Sequence, residues 1–371
     1  MISISHLTEH LFEQRKGGVE HFVQLLNQAS NSSFNHQIVF KKRTGESYGL
    51  IPTINGVEGC EIASLELGSN LSRSDNAVRL SKADLIHIHQ VMPYGLRPLI
   101  KLQYTNPTIF TLHDYFPFCQ KVHYYPNKNE LCQRGASIAR CTACIGSNWS
   151  WLPLLGFFGY RMRLVKKFLD GLQAIILPNE DLLSEIPKEF QFKTVVIPYA
   201  VPCSTQLKSF KKKGFIYVGA MAAHKGIFQL LKDLDALGFE ERIDLYGPEP
   251  LNGMPPLPKF ARYKGVLRDR LVMQHYKALL LPSVWKETGP LVVLEALEEG
   301  IPVVARKGSM SSTFSNSPSI QFFSSARELL KLQIPDFIVK PKELPNLKKV
   351  ISMHHEVYTK VWESYKVRYN G

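Results

Sequence analysis

Short runs of β-branched and other apolar residues recur along this chain, and most are separated from the next by a helix-length segment. Ile2 to Ile4, Gln37 to Phe40, Leu85 to His89, Thr108 to Leu112, Ala174 to Leu177 and Val195 to Ile197 make one series. Phe215 to Gly219, Ile243 to Tyr246, Tyr263 to Val266, Leu279 to Leu281 and Ile301 to Ala305 make a second. Two parallel strands cannot be joined by a tight turn, so such alternation predicts parallel sheets with helices on both faces. In sheets of this kind ligands gather at the carboxyl ends of the strands.

A chain of 371 residues is long for a single core. The polar, Lys-rich stretch from Val201 to Lys213 reads as a linker between two α/β domains. With 44% hydrophobic and 21% charged residues the composition is that of a globular protein. No apolar run approaches the ~18 residues of a membrane span. The opening MISISHLTEH, with His6, Glu9 and His10, does not read as a signal peptide, so the cytoplasm is the expected location. Lys and Arg outnumber Asp and Glu by 45 to 32, a net charge of +13 that suits an anionic partner. The basic residues are dispersed, with small clusters at Lys41-Lys42-Arg43 and Lys211-Lys212-Lys213, and no nucleic-acid-binding signature accompanies them.

Residues 282 to 304 read PSVWKETGPLVVLEALEEGIPVV. Pro290 suits a helix start and Gly300 a helix stop, so the stretch predicts loop, helix from Leu291 to Glu299, then strand. Glu287 lies in the loop, and Glu295 falls about a turn and a half into the helix. Helical side chains tilt towards the N-terminus, so both carboxylates reach the space around it. Free N–H groups and the helix dipole make that space an anion seat. A ligand with a phosphate and neighbouring hydroxyls fits it. Spacing alone serves equally well for a surface helix with solvated glutamates, and Glu298 and Glu299 are assigned to the solvated side.

Elsewhere, Gly17-Gly18 opens a helix over Val19 to Leu26, a turn that offers N–H groups to phosphate. His113 stands beside Asp114 at the end of a strand, as apt for a site residue as for a structural one. Lys225 follows the first strand of the second series, where a diphosphate would sit. Cys119, Cys132, Cys141 and Cys144 offer four thiolates for a structural zinc, against core cysteines or a redox-labile pair. The KVHYYPNKNEL segment between the first two would need such a staple for order. From Asn148 to Gly171 the aromatic residues, including Trp149, Trp151, Phe157, Phe158 and Tyr160, precede Arg161, Arg163, Lys166 and Lys167. That pattern suits a membrane-surface contact and a sheet-packed helix equally. Near the C-terminus Val357, Tyr358, Val361, Trp362 and Tyr365 share a helical face.

Taken in order, these motifs resemble the GT-B glycosyltransferases, specifically the retaining family 4. The resemblance rests on Gly17-Gly18-Val19-Glu20, Asp84 to His89, Thr111-Leu112-His113-Asp114, Val196-Ile197-Pro198, Tyr217-Val218-Gly219 with Lys225-Gly226, and Pro282 to Val304. It implies two doubly wound, Rossmann-like α/β domains facing across a cleft. Residues 1–205 would bind the acceptor, with a C-terminal helix about 354–371 packing back, and residues 206–353 would bind a UDP- or GDP-sugar. By position, Glu287 would read sugar hydroxyls, Glu295 the ribose, and Lys225 the diphosphate. Backbone of Thr288, Gly289 and Leu291 would face sugar and distal phosphate. Gly17 and Gly18 would close on the phosphates, His113 would contact the transferred sugar, and backbone near Val266 would meet the base. No metal is then required for catalysis.

One position departs from the family: Ala220 stands where an Arg often follows the strand's Gly, leaving Lys225 alone unless Arg268 substitutes. The expected activity is hexosyl transfer to a saccharide or lipid-linked acceptor in bacterial cell-surface polysaccharide or lipopolysaccharide synthesis, with peripheral contact to an acidic membrane surface. A catalytically inactive nucleotide-sugar-binding scaffold is the alternative, and a zinc-stapled nucleic-acid binder the least favoured.

Overall fold

A computed structural model of the chain describes residues 1–9, 17–41, 47–52, 64–66, 83–119, 132, 138–145, 151–204, 210–250, 253–314, 317–334 and 344–369. The chain divides into two compact units: Met1–Val122 with Gln133–Tyr199 and Lys348–Gly371, and His123–Cys132 with Ala200–Leu347. Lys42-Arg43, Trp149 and the KVHYYPNKNEL segment lie outside the described residues.

The first unit runs β1 (Ile2–Thr8), α1 (Gly18–Asn27), β2 (Phe34–Lys41), β3 (Ser47–Pro52), β4 (Ser64–Glu66), β5 (Leu85–Ile88), α2 (Leu96–Leu102), β6 (Thr108–Thr111), α3 (Ile138–Ile145), α4 (Trp151–Gly171), β7 (Ala174–Leu177) and β8 (Thr194–Val196). Its sheet has the order β4-β3-β2-β1-β5-β6-β7-β8. Six strands from β2 to β8 are parallel, while β3 and β4 extend the edge antiparallel. The sequence pattern does not reveal that edge: Gly49 and Pro52 weaken a strand signal, and proline is tolerated only where pairing ends. By contrast β5, β6 and β7 are buried at every position, as parallel strands covered on both faces must be.

A long C-terminal helix, which in chain order becomes α8 (Leu347–Tyr369), belongs almost wholly to this unit. Val350, His354, Val357, Tyr358 and Val361 are its buried residues, spaced as one helical face. Each buried valine contributes about 2 kcal/mol. In α4, Phe158, Phe168 and Leu169 are buried, and the Phe168 ring meets Phe110 edge-on at 5.5 Å. Phe157, Tyr160 and Met162 face solvent instead. The helix therefore packs along one side and carries an apolar patch on another.

In the second unit β9 (Lys213–Val218), α5 (Ile227–Asp235), β10 (Ile243–Tyr246), β11 (Ala261–Tyr263), β12 (Tyr276–Leu281), α6 (Leu291–Glu298), β13 (Val303–Arg306), β14 (Ile320–Phe323) and α7 (Ala326–Leu329) follow one another. All six strands are parallel, in the order β11-β10-β9-β12-β13-β14. Alternate residues serve opposite faces, as the pleat requires. Phe215 and Tyr217 pack with Ile227, Leu230, Leu231 and Leu234 of α5. Ile216 packs with Val293, Ala296 and Leu297 of α6 on the other face. The sheet is thus doubly wound, and its strand order reverses between β9 and β12.

Two expectations need correction here. The strand placed at Tyr263 to Val266 lies earlier, at Ala261–Tyr263. Past that strand Lys264 N still donates to Leu245 O, and Gly265, with a left-handed backbone (φ 76°), accepts from Gly247 N, both at 2.9 Å. Glu298 and Glu299 are not solvated: they are 3% and 2% exposed. The last turn of α6 folds over Ser204, whose N–H donates to Glu298 at 3.1 Å and whose hydroxyl donates to Glu299 at 3.0 Å. Gln274 and Arg270 also reach Glu299, at 2.6 and 2.7 Å. Buried carboxylates need partners, and these groups supply them.

Candidate functional site

The strand-order reversal in the second unit sets the site. The segment leaving β9 passes Ala220 and turns through Ala223–Lys225, while the segment leaving β12 carries Pro282 to Glu287. Because β9 and β12 are neighbours, both segments emerge at the same carboxyl edge. Gly226 joins the first of them to α5 with φ 69°. A Cβ there would lie 2.2 Å from the Pro282 carbonyl oxygen. Gly226→Ala therefore meets both a strained backbone and an immovable neighbour. We expect it to lower the stability of this unit by about 1–3 kcal/mol, read as an earlier urea midpoint. An unchanged midpoint would refute the close approach.

Lys225 Nζ lies 2.7 and 2.9 Å from the two oxygens of Glu287. Glu287 is 6% exposed. Its Oε1 also accepts from Ser283 Oγ at 2.6 Å and Trp285 Nε1 at 3.0 Å. Its own N–H donates to Ser309 O at 2.8 Å, which ties the loop to the end of β13. The Lys225 ammonium sits 5.2 Å from the centre of the Trp285 ring, and His224 packs edge-on against that ring at 5.5 Å. A cation, a carboxylate and an aromatic face are thus held together at the amino end of α6. Thr288 is buried beside them, Leu291 begins the helix, and Glu295 is half-buried one turn in. Ser283, Trp285 and His224 are not singled out by sequence reasoning, although Ser283 and Trp285 lie inside its central motif. Val266 lies exposed in the loop after β11, and Arg268 is exposed as well.

In the first unit Gly17 caps α1, but that helix start is not vacant. Glu20, 6% exposed in the first turn, folds back so that a Cβ on Gly17 would meet its Oε2 at 2.1 Å. Arg15-Lys16 before it lies outside the described residues. His113 is 5% exposed at the carboxyl end of β6. One ring nitrogen, Nε2, is 2.8 Å from His89 Nδ1, and the other bonds the Tyr199 hydroxyl. Both nitrogens are therefore engaged within the unit. Burial and the proximity of His354 push the His113 pKa down to about 3, so the ring is neutral. Asp114 beside it is pushed up to about 6, chiefly by burial.

Cys119, Cys132 and Cys141 are half-buried and Cys144 is exposed. Among the described residues the one group of three or more His, Cys, Asp or Glu ligand atoms within 4.8 Å is His6, His87 and His89. The ring nitrogens of these three imidazoles are already engaged. His6 Nδ1 and His89 Nε2 share a 2.9 Å hydrogen bond, and His87 is held by Tyr358 and Thr111 at 2.8 and 2.7 Å.

No family model matches the sequence, and no curated protein matches it either. Solved structures do. A sucrose-phosphate synthase from Thermosynechococcus elongatus aligns over 98% of this chain and 100% of its own, at 14% identity and a TM-score of 0.64. HepE from Anabaena, in complex with UDP and glucose, covers 97% and 100% at 12% identity and a TM-score of 0.62. A glycosyltransferase from Rickettsia africae covers 97% and 98% at 13% identity and a TM-score of 0.60. The fold is α/β, of the GT-B class seen in glycosyltransferases, with each unit doubly wound.

Proposed function

We propose that the protein is a retaining glycosyltransferase of family 4 that moves a hexosyl group from a UDP- or GDP-sugar to a saccharide or lipid-linked saccharide. The observation that carries this reading is the Lys225–Glu287 pair at the strand-order reversal of the second sheet. Sugar transfer builds negative charge on the departing diphosphate. An ammonium beside a helix N-terminus stabilises that charge without a metal. Lys225 takes the diphosphate, Glu287 holds Lys225 and reads sugar hydroxyls, and Glu295 meets the ribose. Backbone of Thr288, Gly289 and Leu291 faces the phosphate. HepE, whose structure holds UDP and glucose, supports a nucleotide-linked donor.

The acceptor belongs to cell-surface polysaccharide or lipopolysaccharide assembly at the inner face of the membrane. Exposed Phe157, Tyr160 and Met162 beside exposed Arg163, Lys166 and Lys167 suit a peripheral contact with acidic lipid. No described helix is long and apolar enough to cross a membrane. Ala220 favours a second reading, an inactive donor-binding scaffold.

A melting panel of nucleotide sugars, followed by transfer assays with the best binder, tests both. At 100 times its Kd a true donor stabilises by about 2.7 kcal/mol, a shift of several degrees. If no nucleotide sugar raises the melting temperature, both readings fall. A binder that is never turned over leaves the scaffold.

A further inference from the structure

Seven histidines, His6, His36, His87, His89, His113, His354 and His355, collect in the first unit. They lie between its sheet and α8, where a parallel sheet ordinarily presents Val, Ile and Leu. Five of them are joined end to end. His355 Nε2 is 3.2 Å from His36 Nε2, and His36 Nδ1 is 2.8 Å from His6 Nε2. His6 Nδ1 is 2.9 Å from His89 Nε2, and His89 Nδ1 is 2.8 Å from His113 Nε2. His113 Nδ1 then meets the Tyr199 hydroxyl. The line crosses the strands. His36 is on β2, His6 on β1, His89 just past β5 and His113 just past β6, which are consecutive neighbours in the sheet. Its outer end, His355, is half-exposed on α8, and its inner end lies at the carboxyl edge of the sheet.

We infer that this imidazole line is a proton relay between the His355 surface and the carboxyl edge of the first sheet at His113 and Tyr199. Every inner link pairs Nδ1 of one ring with Nε2 of the next. A neutral imidazole donates through one nitrogen and accepts through the other. His36, His6, His89 and His113 must therefore all carry their proton on the same nitrogen, since a mismatch would set two N–H groups or two lone pairs face to face. Neutrality is enforced. Burial, then repulsion from neighbouring rings, holds His6 and His89 well below the usual imidazole range and His36 at about 3.

With all four protons on Nε2, Tyr199 passes its hydroxyl proton to His113 Nδ1 as it takes up another. His113 gives its Nε2 proton to His89 Nδ1, His89 to His6, His6 to His36, and His36 to His355 Nε2. His355 releases a proton from Nδ1 to water. One proton enters and one leaves, with no change of oxidation state, and every ring ends in the other tautomer. His87, bonded to Tyr358 and Thr111, and His354, bonded to Val350 O at 2.8 Å, flank the line without joining it. Among the described residues, Asp114 acts on Tyr199 at the inner end and Glu9 acts on Asp114. The use assigned to the relay rests on the transferase reading. Transfer to a hydroxyl releases one proton, and the line carries it away. His355, His36, His6 and His89 are then positioning residues that act through His113.

Two measurements test this separately. In the ligand-free protein with 15N-labelled histidine, His36, His6, His89 and His113 should be neutral and share one tautomer near pH 7.5. Mixed tautomers, charged rings, or a metal bound by His6, His87 and His89 in the purified protein would overturn the relay whatever the protein catalyses. In the transfer assay, His355→Ala should lower kcat about tenfold, raise the solvent isotope effect, and recover with added imidazoles according to their basicity. Intact kcat in His355→Ala, or recovery that ignores basicity, would also overturn it. A wild type that turns over no donor counts against the transferase reading alone, and the spectra still decide the relay.

Discussion

Glu287→Gln is expected to lower sugar transfer about 100-fold, the scale set by removing one preorganised charge contact from a transition state. The reason is local. Glu287 is the counter-charge that holds Lys225 Nζ at 2.7 Å, and it is itself anchored by Ser283 and Trp285. Glutamine keeps an oxygen for those two donors but removes the charge, so the second unit should melt as wild type. Glu287→Ala goes further, because Ser283 Oγ and Trp285 Nε1 lose their acceptor inside a buried loop. That should cost about 2 kcal/mol of stability on top of the activity. Initial rates with the identified donor, read beside urea midpoints, separate the two effects. Wild-type rates in both variants would remove Glu287 from the site. A stability loss without a rate loss would leave it a structural anchor.

The second large effect is a loss of stability in mild acid. An imidazole whose folded pKa is depressed binds its proton more readily in the unfolded chain, so stability is intact above the unfolded value of 6.5 and falls as pH drops below it. His36 and His113 are held at about 3 and His354 at about 4, in each case mainly by burial. Each such ring gives up about 1.4 kcal/mol per pH unit below 6.5. By pH 5 these three together lose about 6 kcal/mol, a large part of the ~5–15 kcal/mol that holds a domain folded. His6, His87 and His89 act in the same direction. The first unit should therefore show a melting temperature that drops steeply from pH 6.5 to pH 5. The second unit, with no comparable layer among its described residues, should be less affected. A flat profile across that range would mean that the rings are not buried as neutral groups.

Much of this protein is legible from residues alone. Runs such as Ala174-Ile175-Ile176-Leu177 and Leu279-Leu280-Leu281 must be buried strands because nothing in them can face water, and the alternation with helical segments leaves only parallel sheets. Glu287, Lys225 and the start of α6 stand out by the same local logic of loop, proline and helix former. The antiparallel edge of β3 and β4 does not, because edge strands need no strong pattern of their own. Glu298 and Glu299 mislead for a related reason. A carboxylate near a helix end looks solvated until Ser204, Gln274 and Arg270, brought from elsewhere in the chain, are seen to enclose it.

The histidine line is the clearest case. His6, His36, His89, His113 and His355 are separated by up to 319 positions between bonded partners. Only His113 stands out in the sequence, by its place at a strand end, and nothing there joins it to the other four. Strand order alone sets one ring on each neighbouring strand, and the return of α8 closes the layer above them. Local chemistry thus specifies the strands, the helices and the loop-to-helix turn at α6, because propensity and capping act over a few residues. Sheet order and helix return specify which buried polar groups meet, because hydrogen bonds between distant residues exist only once the chain has folded.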